Sequence, residues 1–347
     1  MRALALKPLP AHSAELLEVA EPSGPGVLVR TLAVGICGTD REILSGEYGW
    51  APAGRDHLIL GHECLGEVIE TKSESSLAKG DLVVGIVRQP DPLPCPACAC
   101  GEFDMCRNGM YREHGIKELD GFCRERFRLE EAELVRVEPS LRDTGVLVEP
   151  ASVVAKAWDH IERIGARTRS WNPRRVLVTG AGPVGLLASL LTHQRRLELH
   201  VYDRHQGGAK PRLIKELGGE YHSSGLEELS SNADVVIECT GAASVIATVM
   251  SNNARSGVVC LTGLSSGEHH IKQDFTAFNK GMVLQNDVIF GTVNANRAHY
   301  EMAASALAQA DAAWLRSLIT RRVPFSAWRE ALQAREGDIK TIIDFTL

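Results

Sequence analysis

The chain has 347 residues, 44% hydrophobic and 24% charged, the length of two ordinary domains and the mixture of a globular protein with a core. Its net charge of −6 offers no basic field, which excludes nucleic acid and anionic membrane as expected partners. The best apolar run, Val176 to Leu191, is broken by three glycines and a proline, and residues 1–21 lack the apolar centre of a signal peptide, so a cytoplasmic protein is expected.

Up to about Glu149 the sequence is rich in Gly, Pro and turn signals. Short β-type runs such as Gly26–Ala33 and Leu82–Val87 predict an irregular, mostly β domain. Of nine cysteines, Cys95, Cys98, Cys100 and Cys106 crowd into twelve positions, while Cys37, Cys64, Cys123, Cys239 and Cys260 are scattered. An odd total in a chain without a secretion signal favours metal ligation over disulfides.

From Pro150 the texture changes. Ala151–Ile164 carries Val154, Ala157, Trp158, Ile161 and Ile164 at helical spacing. Strands and helices then alternate. The strands are Arg175–Thr179, Leu197–Tyr202, Asp234–Cys239 and Gly257–Thr262; the helices are Pro183–Gln194, Pro211–Leu217 and Ala243–Met250. Apolar strands separated by helices imply a parallel sheet buried on both faces, which Val288–Val293 should end. The tail, Arg297–Leu347, reads as mainly helical and closes on a β-like run, Thr341–Phe345, that should return to the first domain. The expected fold class is α/β, with a mostly β catalytic domain at 1–150 completed by 295–347 and a doubly wound domain at 151–294.

Gly180-Ala-Gly182-Pro183-Val184-Gly185 follows the strand Arg175–Thr179 and opens a helix, the context in which a GxGxxG becomes a Rossmann dinucleotide fingerprint. Gly180 permits the tight turn, Gly182 lets backbone approach a pyrophosphate, and Gly185 lets helix and strand pack closely. Asp203 ends the next strand, where a carboxylate meets the ribose 2′-hydroxyl of NAD. Arg204 follows it and can instead pair with the 2′-phosphate of NADP. The expected cofactor is NAD, with NADP possible.

Two groups of residues are candidate metal ligands. The first is dispersed: Cys37 in Gly35-Ile-Cys-Gly-Thr-Asp40, and His62 and Glu63 in Gly61-His-Glu63. Thiolate, imidazole and carboxylate on loops between β runs suit a catalytic zinc with a position open for substrate. The second is compact: Cys95, Cys98 and Cys106, with Cys100 between, read as a structural zinc lobe.

Together these pieces resemble the zinc-containing medium-chain dehydrogenases over essentially the whole chain, and within them the glucose dehydrogenase branch. Asp104-Met-Cys-Arg-Asn-Gly109, Glu113-His-Gly-Ile-Lys117, Asp120-Gly-Phe, Leu147-Val-Glu-Pro150 and Gly291-Thr-Val-Asn294 carry that finer likeness. The resemblance implies that the first domain is GroES-like. It implies Cys37 and His62 as firm zinc ligands, with Glu63 and Glu149 filling or exchanging the carboxylate positions. Thr39 would relay the substrate proton, Glu113 and Glu149 would hold sugar hydroxyls, and Asn294 would sit where nicotinamide meets substrate. Gly180, Gly182, Pro183, Val184, Gly185, Asp203, Arg204, Thr240 and Asn294 would hold the dinucleotide. The family's lobe usually has four cysteines spaced two, two and seven; here the first falls on Pro92, and Cys100 is the available substitute.

The implied reaction moves hydride from the anomeric carbon of an aldose, D-glucose foremost, to NAD(P), in a homodimer or homotetramer. One alternative is a zinc enzyme for another polyol or a simple alcohol, whose site would be more apolar. Another is a non-catalytic dinucleotide sensor, which would show damaged ligands; here they are intact. Cys239 and Cys260 read as core, Cys64 as packed away from the ligands, and His57, His114, His269 and His270 as surface or loop residues.

Overall fold

The computed structural model describes residues 1–9, 11–265 and 270–347; His269 therefore lies outside the described residues. The chain forms two compact units, Met1–Ser152 with Asn294–Leu347, and Val153–Val293.

The main sheet of the first unit runs in the order Leu134–Val137, Leu82–Gly85, Glu63–Glu70, Val27–Ile36, Lys340–Asp344, Ile319–Pro324. Its register decides the chemistry. Gly35 pairs with Glu63, and Ile36 with Thr341, so one end of the sheet gathers three distant pieces of chain: residue 37, residues 62–63 and residue 340. Beneath lies a core of Leu4, Val34, Leu60, Phe122, Phe127 and Ile343, each essentially without exposure. Phe122 and Phe127 pack with ring centroids 4.8 Å apart. A side chain at Gly85 would collide with Phe122, which is why the strand Leu82–Gly85 ends in glycine.

The second unit is a six-stranded sheet paired in parallel throughout. Its order is Glu220–His222, Glu198–Tyr202, Arg175–Thr179, Val235–Glu238, Val258–Leu261, Val288–Gly291. The order steps outward from a central strand in both directions, the doubly wound arrangement expected of a Rossmann unit. The strand Val235–Glu238 is buried at every position, as a sheet covered on both faces requires.

Most elements match the periodicity reading, and Pro183–Gln194 matches it at both ends. Not expected from the sequence are the strand Glu220–His222, the helices Leu226–Ser231 and Phe275–Gln285, and the strand Ile319–Pro324. The first is three residues long and polar; the last carries two arginines and ends in proline. The tail is accordingly less helical than expected, because it supplies two strands to the main sheet. Among the described residues no helix is long and apolar enough to cross a membrane.

Candidate active site

Cys37 follows the strand Val27–Ile36 and caps the helix Gly38–Ser45. Its sulfur accepts from Thr39 N (3.2 Å), and Asp40 returns the favour by accepting from Cys37 N (2.9 Å). His62 immediately precedes the neighbouring strand, and its Nε2 stands 3.0 Å from Cys37 Sγ. The other ring nitrogen, Nδ1, faces Asp40 Oδ1 at 3.4 Å. Glu63 completes the cluster: one ligand atom from each of Cys37, His62 and Glu63 lies within 4.8 Å of the others.

Two fully buried charges support these donors. Lys340 Nζ pairs with the Glu63 carboxylate and donates to Ile36 O (3.3 Å). Gly35 makes room for that pair, since a Cβ there would strike Glu63 Oε2 and Lys340 Cε. Gly61 is equally constrained: at φ +90° its backbone is left-handed, and a Cβ would meet Cys123 Sγ and Val34. The glycines of the two short motifs therefore serve the packing around the ligands.

The buried charges around the cluster hold one another in place. Burial would lower the pKa of His62, yet Cys37 and Asp40 outweigh it and hold the imidazole well above its ordinary value. Burial would raise Asp40, but His62 and the Cys37 N–H keep it low. Burial likewise disfavours charge on Lys340, and Glu63 and Cys37 reverse the effect. Cys37, Asp40 and Glu63 converge on His62 and Lys340, and the ligand atoms of Cys37, His62 and Glu63 are close enough to share one cation. The donor set is the soft-and-borderline mixture that zinc takes.

Glu149 is buried in the first turn of the helix Val148–Gly165 and stands outside the three-residue cluster. Burial pushes its pKa up to about 7; His62 opposes that shift and Glu63 adds to it. Thr39 is half-buried at the start of its helix.

Glu113 is buried, and its Oε1 accepts from Arg88 Nε (3.0 Å) and Asn294 Nδ2 (2.7 Å). Among the described residues Oε2 accepts no hydrogen bond. Arg88 also donates to Asp104 O (3.2 Å) and covers the Tyr111 ring at 3.6 Å from its centroid. Asn294 adopts a left-handed backbone, φ +59°. Asp104 in turn receives Asn296 Nδ2 (2.9 Å). Arg88, Asp40 and Lys340 were not singled out from sequence. An Asp three residues after Cys37 and a Lys inside an apolar terminal strand were the available signals.

In the second unit, the glycine turn behaves as the fingerprint requires. Gly180 is left-handed (φ +89°), and a Cβ on Gly185 would strike Gly180 O. Around Gly182 a Cβ would meet nothing, so packing within the chain does not explain that glycine. Asp203 Oδ2 accepts from Ala181 N (2.8 Å) and Lys210 Nζ (3.3 Å); Oδ1 accepts from His205 N (2.9 Å). Burial would raise Asp203, and these donors more than offset it, leaving the carboxyl below its ordinary value. Arg204 is exposed. Under the turn lies Glu238, fully buried and unremarked in the sequence. It receives Thr240 N (2.7 Å), Gly241 N (3.2 Å) and Thr179 Oγ1 (3.3 Å), and so fixes the loop bearing Thr240.

The cysteine lobe departs from expectation at one ligand. Cys95, Cys98 and Cys106 cluster, with Cys95 and Cys98 sulfurs 3.6 Å apart. Cys100 is exposed, and its thiol turns back to Ala97 O (3.2 Å) as the cap of the short helix Pro96–Ala99. The helical turn carries residue 100 away from the face that residues 95 and 98 share. Cys64 and Cys260 are buried core residues, whereas Cys239, expected in the core, is only half-buried; Cys64 Sγ accepts from Gly85 N (3.1 Å). His114, expected at the surface, is buried with Nδ1 2.9 Å from Asp120 O. His57 lies partly exposed beside Asp56, and His270 is exposed.

A Cys–His–Glu cation cluster in a β-rich unit, with a glycine turn on a doubly wound sheet, defines a metal- and dinucleotide-dependent oxidoreductase. Residues 24–139 match the alcohol dehydrogenase GroES-like domain, and residues 142–345 match the glucose dehydrogenase C-terminus. The chain is 37% identical to a glucose 1-dehydrogenase of Methanocella arvoryzae and 40% to one of Thermoproteus tenax, covering 99% of each pair. The Haloferax mediterranei glucose dehydrogenase, solved in complex with NADP, Zn and gluconolactone, superimposes with a TM-score of 0.92 at 31% identity over all of both chains. The chain belongs to the zinc-containing medium-chain dehydrogenases, in their glucose 1-dehydrogenase branch.

Proposed function

We propose that the protein oxidises D-glucose at its anomeric carbon, passing hydride to the nicotinamide of NAD(P)⁺ and the hydroxyl proton to solvent, with gluconolactone as product. The observation that carries this reading is the Cys37–His62–Glu63 cluster, with His62 and Glu63 buried and two supporting charges behind them. What zinc supplies there when bound is Lewis acidity, which lowers the pKa of a sugar hydroxyl toward neutrality. Cys37, His62 and Glu63 hold the ion, and Glu149 is the carboxylate available for exchange. Asp40 orients His62, as a carboxylate behind a metal-bound imidazole does. Lys340 balances the charge of Glu63. Thr39 passes the proton outward.

Glu113 is the sugar-binding carboxylate, held ready by Arg88 and Asn294 with Oε2 left to accept a hydroxyl. A buried, charged network of this kind suits a polyhydroxyl ligand and penalises a simple alcohol, which would leave its polar groups unpaired. Gly182 and the start of the helix Pro183–Gln194, with Val184, take the pyrophosphate. Asp203 is already committed to Ala181, His205 and Lys210, so a 2′-phosphate beside it meets the cations Arg204 and Lys210 as well as the carboxylate. Both NAD and NADP are therefore accepted. The nine free thiols suit a reducing cytoplasm, and a homodimer or homotetramer is the expected assembly.

The test is a matrix of D-glucose, other aldoses, polyols and short alcohols against NAD⁺ and NADP⁺, read by absorbance of the reduced cofactor. Fastest turnover with an aldose, and lactone as product, supports the proposal. Faster turnover of a short alcohol would overturn the substrate assignment.

A further inference from the structure

Far along the second unit, at the edge of its sheet, three side chains form a second type of donor cluster. The strands Glu198–Tyr202 and Glu220–His222 run parallel, with His200 opposite Glu220 and Tyr202 opposite His222. His200 Nδ1 faces His222 Nε2 at 2.9 Å, and Glu220 Oε2 lies 3.8 Å from each of those nitrogens. The rings stack at 26° with centroids 5.2 Å apart. His200 is almost fully buried, His222 is partly exposed and Glu220 faces solvent.

We infer that His200, His222 and Glu220 form a binding site for a borderline divalent transition-metal ion of the zinc or nickel type. Three observations carry the inference. The point equidistant from the three atoms lies about 2.1 Å from each, the length of a zinc–imidazole or zinc–carboxylate bond. The tautomer of His200 is already set. Its Nε2 stands 2.8 Å from Glu198 Oε1, which Arg175 holds from the other side through Nε at 3.0 Å, so Nε2 carries the proton and Nδ1 presents a lone pair inward. This carboxylate behind an imidazole is the arrangement that orients metal-binding histidines. Finally, the donors are two imidazoles and one carboxylate, a set that selects zinc, nickel or copper over magnesium or calcium.

Without metal, His222 Nε2–H donates to His200 Nδ1. Binding replaces that proton by the ion, and the proton leaves to solvent or reappears on His222 Nδ1. Nothing is oxidised or reduced. The ion clasps the two strands at the point where the chain turns toward Asp203, whose N–H already donates to His222 O (3.0 Å).

The experiment starts from enzyme whose Cys37–His62–Glu63 cluster is loaded with zinc and from which weakly held zinc has been dialysed away; it measures Ni²⁺ uptake by equilibrium dialysis, with wild type compared against His222→Ala, Glu220→Gln and Glu198→Gln. Any uptake at the cysteine lobe is common to all four proteins, so the difference isolates the clasp. The wild type should take up one nickel more than His222→Ala. Glu198→Gln should weaken the same site by roughly tenfold or more, the usual cost of removing such a supporting carboxylate. Glu220→Gln, at an exposed position where folding is safe, should weaken it as well. Metal-free melting temperatures and the initial dehydrogenase rate should be unchanged. Equal nickel uptake by wild type, His222→Ala and Glu220→Gln would overturn the assignment and leave the pair as a hydrogen-bonded surface contact.

Discussion

The first unit holds two cysteine-containing clusters, and they differ in what stands behind the donors. At Cys37–His62–Glu63 each ligand has its own partner: Thr39 N on the sulfur, Asp40 on the imidazole, Lys340 on the carboxylate. At Cys95–Cys98–Cys106 the supports are backbone: Arg107 N donates to Cys95 Sγ (3.3 Å), and backbone N–H groups, Arg107's foremost, lower the Cys95 pKa to about 6. Burial, by contrast, raises Cys98. The first cluster is assembled by sheet register from distant segments; the second is made by one loop. A register-built site keeps its geometry because the sheet enforces it, whereas the geometry of a loop-built site depends on the loop alone.

The sharpest way to break the comparison is to remove a ligand from each cluster. Cys37→Ala or His62→Ala should lower turnover by at least about 10²–10³-fold, the scale of lost electrostatic stabilisation at a reacting oxygen. Dinucleotide binding, followed by quenching or calorimetry, should survive, because the glycine turn belongs to the other unit. Near-normal turnover in chelator-treated buffer would show that the cluster is not the metal centre.

The supports come next. In the metal-free protein Lys340→Met leaves the buried Glu63 without its ammonium partner, a loss that costs about 3–5 kcal/mol. Chemical denaturation should register the loss, and adding Glu63→Gln should recover part of it, because the pair is coupled. If the single and double variants are equally unstable, the pair is not what Lys340 stabilises. Asp40→Asn should be milder for the fold and specific to the metal, weakening zinc retention by roughly 10–100-fold against a competing chelator. Unchanged zinc retention would remove Asp40 from its orienting role.

The difference between the clusters also explains what could be read from sequence. Cys95, Cys98 and Cys106 are visible because their spacing is local. Cys37, His62 and Glu63 became visible only as short motifs, and the motifs named the ligands but not their supports. Lys340 reaches Glu63 across 277 positions of chain, a separation that no periodicity encodes. Asp40 was inside the quoted motif, yet only the cap geometry gives it a task. In the second unit the strong alternation of apolar strands and helices made the sheet legible, while the three-residue strand Glu220–His222 was too short and polar to register. Glu238 shows the same limit in reverse. A carboxylate ending an apolar strand looks like the strand's last residue, and its role depends on donors from Thr179, Thr240 and Gly241 that converge on it in space.

The smallest expected effect tests the loop cluster most directly. Cys100 lies two residues beyond Cys98, close enough in sequence to complete a tetrahedral set if the loop reversed at once. It does not reverse. Residues Pro96–Ala99 form a helical turn, and residue 100 closes that turn with its N–H on Ala97 O (3.3 Å) and its thiol on the same carbonyl. Its sulfur is exposed, so replacing it buries nothing and uncovers nothing. Cys100→Ser preserves a donor for the carbonyl, and its melting temperature and metal content should match the wild type. Cys98→Ser removes a sulfur from the buried side of the cluster and should lower the melting temperature by a few degrees, more so if the wild type carries metal there. Equal loss in both variants would mean that the loop rearranges around an ion to recruit Cys100, and that this cluster, unlike the register-built one, is shaped by what it binds.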